Sequence, residues 1–152
     1  MRKSAGILLY RFQKKELQVF LVHHGGPFWQ NKDAGAWSIV KGEFIDETPL
    51  EAAQREFKEE TGSEIKGEFV ELTPVKQKAG KLVYAFAIEG NIDAENIVCN
   101  TFKMEWPTKS GKWKEFPEVD KAAWFTIKEA REKINKAQIA FLEELLAIVK
   151  RD

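Results

Sequence analysis

Short runs of aliphatic, β-branched and aromatic residues alternate along the chain with breaks rich in glycine and lysine. By length and content, the runs at 5–12, 17–23, 36–40, 64–72, 81–89 and 122–125 predict strands, and 97–104 is a weaker candidate. The stretch 25–35, with Gly25, Gly26, Pro27, Asn31, Asp33 and Gly35, predicts a loop, as does 107–117 with Ser110 and Gly111 inside it. Two segments turn helical. The first opens with Thr48, Pro49 and Glu51, which supply an N-cap hydroxyl, a proline at the first helical position and a glutamate at N3, and Gly62 stops it. The second opens with the same box, Thr126 to Glu129, and runs to the C-terminus with a break near Asn135. Ile139, Leu142, Leu145, Leu146 and Val149 give its last part a core-facing stripe. Strands around one central helix, with helical cover at the end, predict a mixed α/β layered domain.

Drawn at helical spacing, 49–61 puts Leu50, Ala53 and Phe57 on one arc about 60° wide, the face a core would take. Beside it cluster Glu56, Glu59 and Glu60, with the small Ala52 one turn before them. Glu56 meets Glu59 and Glu60 at i+3 and i+4, and each like-charge pair costs a few tenths of a kcal/mol. Glu59 and Glu60 also lie in the last turn, where the helix dipole disfavours anions. One reading is a solvated acidic face, partly neutralised by Arg55 and Lys58. The other is an oxygen-ligand site for a hard divalent cation, magnesium or manganese, with no histidine or cysteine nearby to favour zinc.

Reading outward from this helix, Gly42-x4-Glu47-x7-Arg55-Glu56-Phe57-x-Glu59-Glu60-x-Gly62 resembles the signature of the Nudix (MutT-like) hydrolases, G-x5-E-x7-R-E-U-x-E-E-x-G-U with U bulky and apolar. Two positions depart from it. The gap between Gly42 and Glu47 is one residue short, and Ser63 stands where an aliphatic residue is expected. The missing residue falls in the loop ahead of the helix, so it bears on where Gly42 sits and leaves the carboxylate spacing intact. The resemblance implies a single Nudix domain over residues 1–152, with its box at 42–63, folded as an α/β/α sandwich (α/β, or α+β) with a mixed central sheet.

The resemblance also implies chemistry. Members of the family cleave nucleoside diphosphates linked to another moiety, by attack of water on phosphorus with divalent metal assistance. Carried over, Glu56, Glu59 and Glu60 would ligate Mg2+, for which Mn2+ can substitute, together with the carbonyl of Gly42. Glu47 and Arg55 would pair to hold the loop against the helix. Phe116-Pro117-Glu118-Val119 resembles the Pro-Glu-apolar stretch that supplies a distant carboxylate in dinucleoside polyphosphate hydrolases and RNA pyrophosphohydrolases. That points to Glu118 as a further metal ligand, with Glu115 the neighbour that can replace it. The base that takes the proton from water stays open among Glu56, Glu59 and Glu118. The implied substrate is a small nucleotide, a nucleoside triphosphate or a dinucleoside polyphosphate, and Trp37-Ser38-Ile39-Val40-Lys41-Gly42-Glu43 tilts the choice toward the second. An alternative of a different class is an inactive scaffold of this fold that binds a nucleotide or a protein partner.

For substrate contact, Trp29 is expected to stand exposed in the 25–35 loop beside Phe28, while Trp106 and Trp113 bracket the later loop and Trp37 belongs to the core. A base can stack on such a ring. Lys41 and Lys78 are the candidate phosphate partners, Lys78 from a cluster with Lys76 and Lys81; Lys109, Lys112 and Lys114 form a second cluster. His23 and His24 adjoin the loop glycines.

Composition narrows the partners. The 152 residues are the length of one domain, and 24 basic against 24 acidic residues leave no net charge. That argues against a polymeric nucleic acid or a membrane surface as partner. One cysteine, Cys99, makes neither an intrachain disulfide nor a thiolate zinc site. No run approaches the roughly 20 apolar residues of a membrane span, and 5–10 is too short for the core of a signal peptide. A cytoplasmic protein is expected, and a homodimer is left open.

Overall fold

Strands covered by helices on both faces are apolar on both faces, and the first two runs have that character. In the computed structural model, which describes residues 2–149, β1 (Lys3–Gln13) and β2 (Glu16–His24) pair antiparallel, Tyr10 opposite Val19 and Gln13 opposite Glu16. β3 (Trp37–Ser38) pairs with β2 and β4 (Val40–Glu43) with β1. Helix α1 (Pro49–Thr61) follows. The chain then adds the short β5 (Val70–Glu71) and β6 (Val75–Lys76) and the long β7 (Leu82–Glu89). A separate hairpin, β8 (Thr101–Glu105) with β9 (Trp113–Pro117), precedes β10 (Val119–Thr126). Helices α2 (Ile127–Lys133) and α3 (Ile139–Val149) close the described chain.

The main sheet runs β10-β2-β1-β7-β5, with β3, β4 and β6 as side pairings on β2, β1 and β7. It is mixed, because β1 and β7 run parallel while its other pairings are antiparallel. Side chains alternate across it. Ala5, Ile7 and Leu9 of β1 and Phe20 and Val22 of β2 pack with Ala52, Ala53 and Phe57 of α1. Leu8, Val19 and Leu21 point the other way, into Ile127, Ala130, Phe141, Leu142 and Leu145 of α2 and α3. The result is the expected α/β/α sandwich.

Helix boundaries follow their caps. Thr48 accepts the N–H of Glu51 at 3.2 Å while the Glu51 carboxylate accepts that of Thr48, and Gly62 (φ 80°) ends α1 with its N–H on the Lys58 carbonyl. Thr126 and Glu129 repeat the box at α2. The expected break falls at Asn135, whose side chain caps a 3-10 turn at Lys136–Gln138 before α3 begins. Residues 150–152, part of the predicted last helix, lie outside the described residues.

Two strand expectations and one loop expectation change, and the weaker strand candidate 97–104 moves to β8 at Thr101–Glu105. The run 36–40 splits at Ile39, because its N–H is taken by the buried Gln138 side chain at 3.1 Å, so β3 and β4 pair with different neighbours. Of 64–72 only Val70–Glu71 is strand. Gly67 (φ +145°) breaks the run, and Ile65 and Phe69 pack on the α1-side core without a strand partner. The expected 107–117 loop is shorter, since 113–117 is strand β9. The Glu105 carboxylate accepts the N–H groups of Lys109 and Gly111 at 3.0 and 2.9 Å and so closes the turn of this hairpin from within.

Candidate active site

Strand β4 delivers Gly42 to the foot of α1. Gly42 lies opposite Ala5 in the β1–β4 ladder, so the sheet fixes its place and the shortened loop beyond it does not. A Cβ on Gly42 would sit 2.0 Å from Cδ of Glu56, so this position has room for no side chain. Arg55 organises the same face. Its Nε and Nη2 grip the Glu47 carboxylate at 2.7–3.0 Å, and its Nη1 donates to Glu56 at 2.7 Å and to Glu59 at 3.1 Å. This guanidinium lowers the pKa of Glu47.

Around that clamp opens a cavity of about 330 Å3, lined by Lys41, Gly42, Glu43, Glu56, Glu59, Glu60, Lys81, Asn100 and Glu118. Glu60 is its most perturbed member. Burial first, then the charge of Glu56, pushes its carboxyl up to about 9, and one of its oxygens is buried with no hydrogen-bond partner. Burial and the charges of Glu56 and Glu59 also raise Glu118. Across the cavity, burial and Lys81 lower Lys41 to about 8, against the pull of Glu60, Glu43 and Glu56. Among the described residues no three histidine, cysteine, aspartate or glutamate side chains stand in a ready-made metal cluster. The Arg55 guanidinium spans Glu56 and Glu59 instead. The donor set still suits a hard cation: its carboxylates offer oxygen only, and a buried oxygen of Glu60 lacks a partner.

Glu118 arrives from far along the chain. Its N–H donates to the Asn100 carbonyl at 2.9 Å, and the Asn100 N–H donates to the Glu59 carbonyl at 3.1 Å. The hairpin between those two residues is thus pinned to the end of α1.

The Nudix domain family model matches residues 1–145. The chain belongs to the Nudix family. At the level of the family it is a pyrophosphohydrolase of nucleotide-linked substrates. No curated protein sequence matches it. Solved structures share the fold at low identity. An Ap4A hydrolase of C. elegans is 19% identical with a TM-score of 0.68, covering 98% of each chain. The NUDIX domain of Shewanella oneidensis NrtR, solved with ADP ribose, is 14% identical at 0.68 over 97% of this chain and 88% of that one. A MutT protein from Methanosarcina mazei Go1 is 18% identical at 0.62, covering 99% and 96%.

Of the residues that the Nudix resemblance singled out, the fold brings Gly42, Glu56, Glu59, Glu60 and Glu118 to one cavity, with Lys41 beside them and Glu47 and Arg55 at its edge. Glu115 pairs with Lys103 in the hairpin and does not line the cavity. Lys78 lines a different cavity, of about 380 Å3, with Gly35, Gln77 and Lys136. Trp29 is half-buried against His24, with Lys32 over its ring, while Phe28 is the exposed aromatic of that loop. Asn100 and Glu43 carried no signal in the sequence. Asn100 enters only through its pairing with Glu118, and Glu43 through its place next to Gly42. Lys81, seen only as part of a cluster, is the member that reaches the cavity. Among the described residues no helix is long and apolar enough to cross a membrane.

Proposed function

We propose that this chain is a single Nudix domain that hydrolyses a phosphoanhydride in a small nucleotide, with Mg2+ as cofactor and Mn2+ able to replace it. The observation that carries the reading is Glu60, a half-buried acid with one buried, unpartnered oxygen, among Glu56, Glu59 and Glu118 in a cavity that also holds two lysines. Glu56, Glu59, Glu60, Glu118 and the Gly42 carbonyl are the groups that would hold the cation. When bound, the cation neutralises phosphate oxygens and lowers the pKa of water. Lys41 and Lys81 meet phosphate oxygens by charge-assisted hydrogen bonds. Arg55 keeps Glu47 on the helix and orients Glu56 and Glu59. One carboxylate among Glu56, Glu59 and Glu118 accepts the proton of the attacking water.

The substrate class is a nucleoside triphosphate or a dinucleoside polyphosphate, whose phosphates Lys41 and Lys81 would face once a cation offsets the glutamates of the cavity. The reading places the protein in the cytoplasm. A panel of both substrate classes, run with Mg2+, with Mn2+ and with EDTA, and with the products identified, tests it. Metal-dependent release of a nucleotide product is expected. Stabilisation by nucleotide without release would mark an inactive binding scaffold instead.

A further inference from the structure

The β8–β9 hairpin is rooted in the cavity. Asn100 immediately precedes β8 and Glu118 immediately follows β9, and both line the site. The 25–35 loop is laid against the same hairpin. The Gly25 N–H donates to the Glu118 carbonyl at 2.9 Å, at an approach so close that a Cβ there would meet the Pro117 oxygen at 1.9 Å. Gly26 (φ +98°) then rests on the Phe102 ring, and Phe28 stands edge-to-face on Trp106, with centroids 5.3 Å apart.

Phe28 is 57% exposed. Three residues of extended chain span at most about 11 Å, so Phe28 lies within that reach of Gly25 and of its bond to Glu118. An open aromatic face on the loop that is tied at Gly25 to the Glu118 end of the cavity can serve as a stacking platform. The other rings do not compete. Trp29 is half-buried and occupied by His24 and Lys32. Exposed Trp113, opposite Glu105, lies on the other face of the hairpin from Phe102. Exposed Phe12 stands against Tyr10, seven residues along β1 from the Ala5 that faces Gly42. Exposed Lys109 and Lys112 crown the hairpin turn beside Trp106, while the Glu105 carboxylate of the same turn is engaged by the N–H groups of Lys109 and Gly111.

We propose that the exposed face of Phe28, backed by Trp106, seats the nucleobase of a nucleotide whose phosphates lie in the Glu60 cavity; this rests on the hydrolase reading above. The class of ligand is a nucleoside carrying a polyphosphate chain, and stacking makes the platform tolerant of base identity.

The test titrates methylene-bridged nucleoside triphosphate analogues of four bases, and inorganic tripolyphosphate as the base-free probe, into the protein with Mg2+ by calorimetry. The wild-type protein is expected to hold at least one analogue more tightly than tripolyphosphate. Phe28→Ala should weaken that analogue about tenfold, Phe28→Tyr should retain it, and tripolyphosphate should bind all three proteins alike. Equal affinity of wild type and Phe28→Ala for every analogue overturns the platform, as does wild-type binding no tighter than tripolyphosphate. Product release from natural nucleotides is read separately. Release with unchanged Phe28→Ala affinity removes the platform and leaves the hydrolase, whereas a Phe28-dependent affinity without release keeps the platform in a protein that only binds.

Discussion

Glu59 separates chemistry from stability at the scale of a single residue. Its contact with Arg55 is a half-exposed i, i+4 pair at 3.1 Å, of a kind worth about 0.3–0.5 kcal/mol. Glu59→Gln should therefore leave the melting temperature within a degree or two while turnover falls at least about 100-fold. Steady-state kinetics beside a thermal melt read both, and an unchanged rate removes Glu59 from its role. Gly42 tests the opposite coupling. A methyl group there would strike the Glu56 carboxylate at 2.0 Å, and Glu56 cannot withdraw freely because Arg55 holds it at 2.7 Å. Gly42→Ala is expected to cut activity as deeply as Glu59→Gln and to lower the melting temperature as well, a pattern that activity and melting measured on the same preparation resolve.

For the elements, helix α1 shows how one segment serves core and site together. Phe57 is 1% exposed between Ala53 and the sheet, against Phe20, while Leu50 is only partly buried. Phe57→Ala should cost about 3–5 kcal/mol, within the range for large core truncations, and Leu50→Ala distinctly less; urea unfolding at constant m-value measures the difference. The two caps and the arc of α1 were legible in the sequence because each is a local device. Thr48, Glu51 and Gly62 act within a few residues of themselves, and the carboxylate spacing needs nothing beyond the helix. Less legible was whatever a distant partner decides. Ile39 looks like the middle of one strand until Gln138, 99 residues on, takes its N–H. The stretch 113–117 reads as loop because its pairing with 101–105 is closed by the side chain of Glu105, not by a two-residue turn. The same hairpin hid Asn100. Glu118 was reached only through the resemblance of its Pro-Glu-apolar surroundings, since spacing alone places no loop glutamate beside Glu56. For the lysine clusters, three residues decide which cavity is lined, Lys81 falling in one and Lys78 in another.

At the scale of the whole molecule, the Glu60 carboxyl should leave a signature in the dependence of stability on pH. Glu60 is raised from 4.5 to about 9 by burial and by Glu56, so the folded protein holds a proton that the unfolded chain has released across that span. Stability contributed by the neutral form is complete below the unfolded value and is lost as pH rises, at up to about 1.4 kcal/mol per pH unit. Glu118, also raised, acts in the same direction. His24 acts oppositely. Burial first, then Lys41, lowers it from 6.5 to about 4, so the unfolded chain binds the extra proton there and stability falls as pH drops through that window. The two trends oppose each other below pH 6.5, and above it the Glu60 carboxyl sets the slope until Lys41, lowered from 10.5 to about 8 by burial and Lys81, adds the opposite trend as pH approaches 8. In EDTA, denaturant unfolding of the wild-type protein should show stability declining from pH 6.5 to 7.5, below the window in which Lys41 opposes it, and Glu60→Gln should flatten that decline. Saturating Mg2+ should flatten or reverse it in the wild type, because the ionised carboxylate is the form that takes a cation and its binding free energy adds to the fold. A metal-free stability that holds level over this range in both proteins would mean that Glu60 is ionised and solvated, and the cation would then have no buried charge to balance.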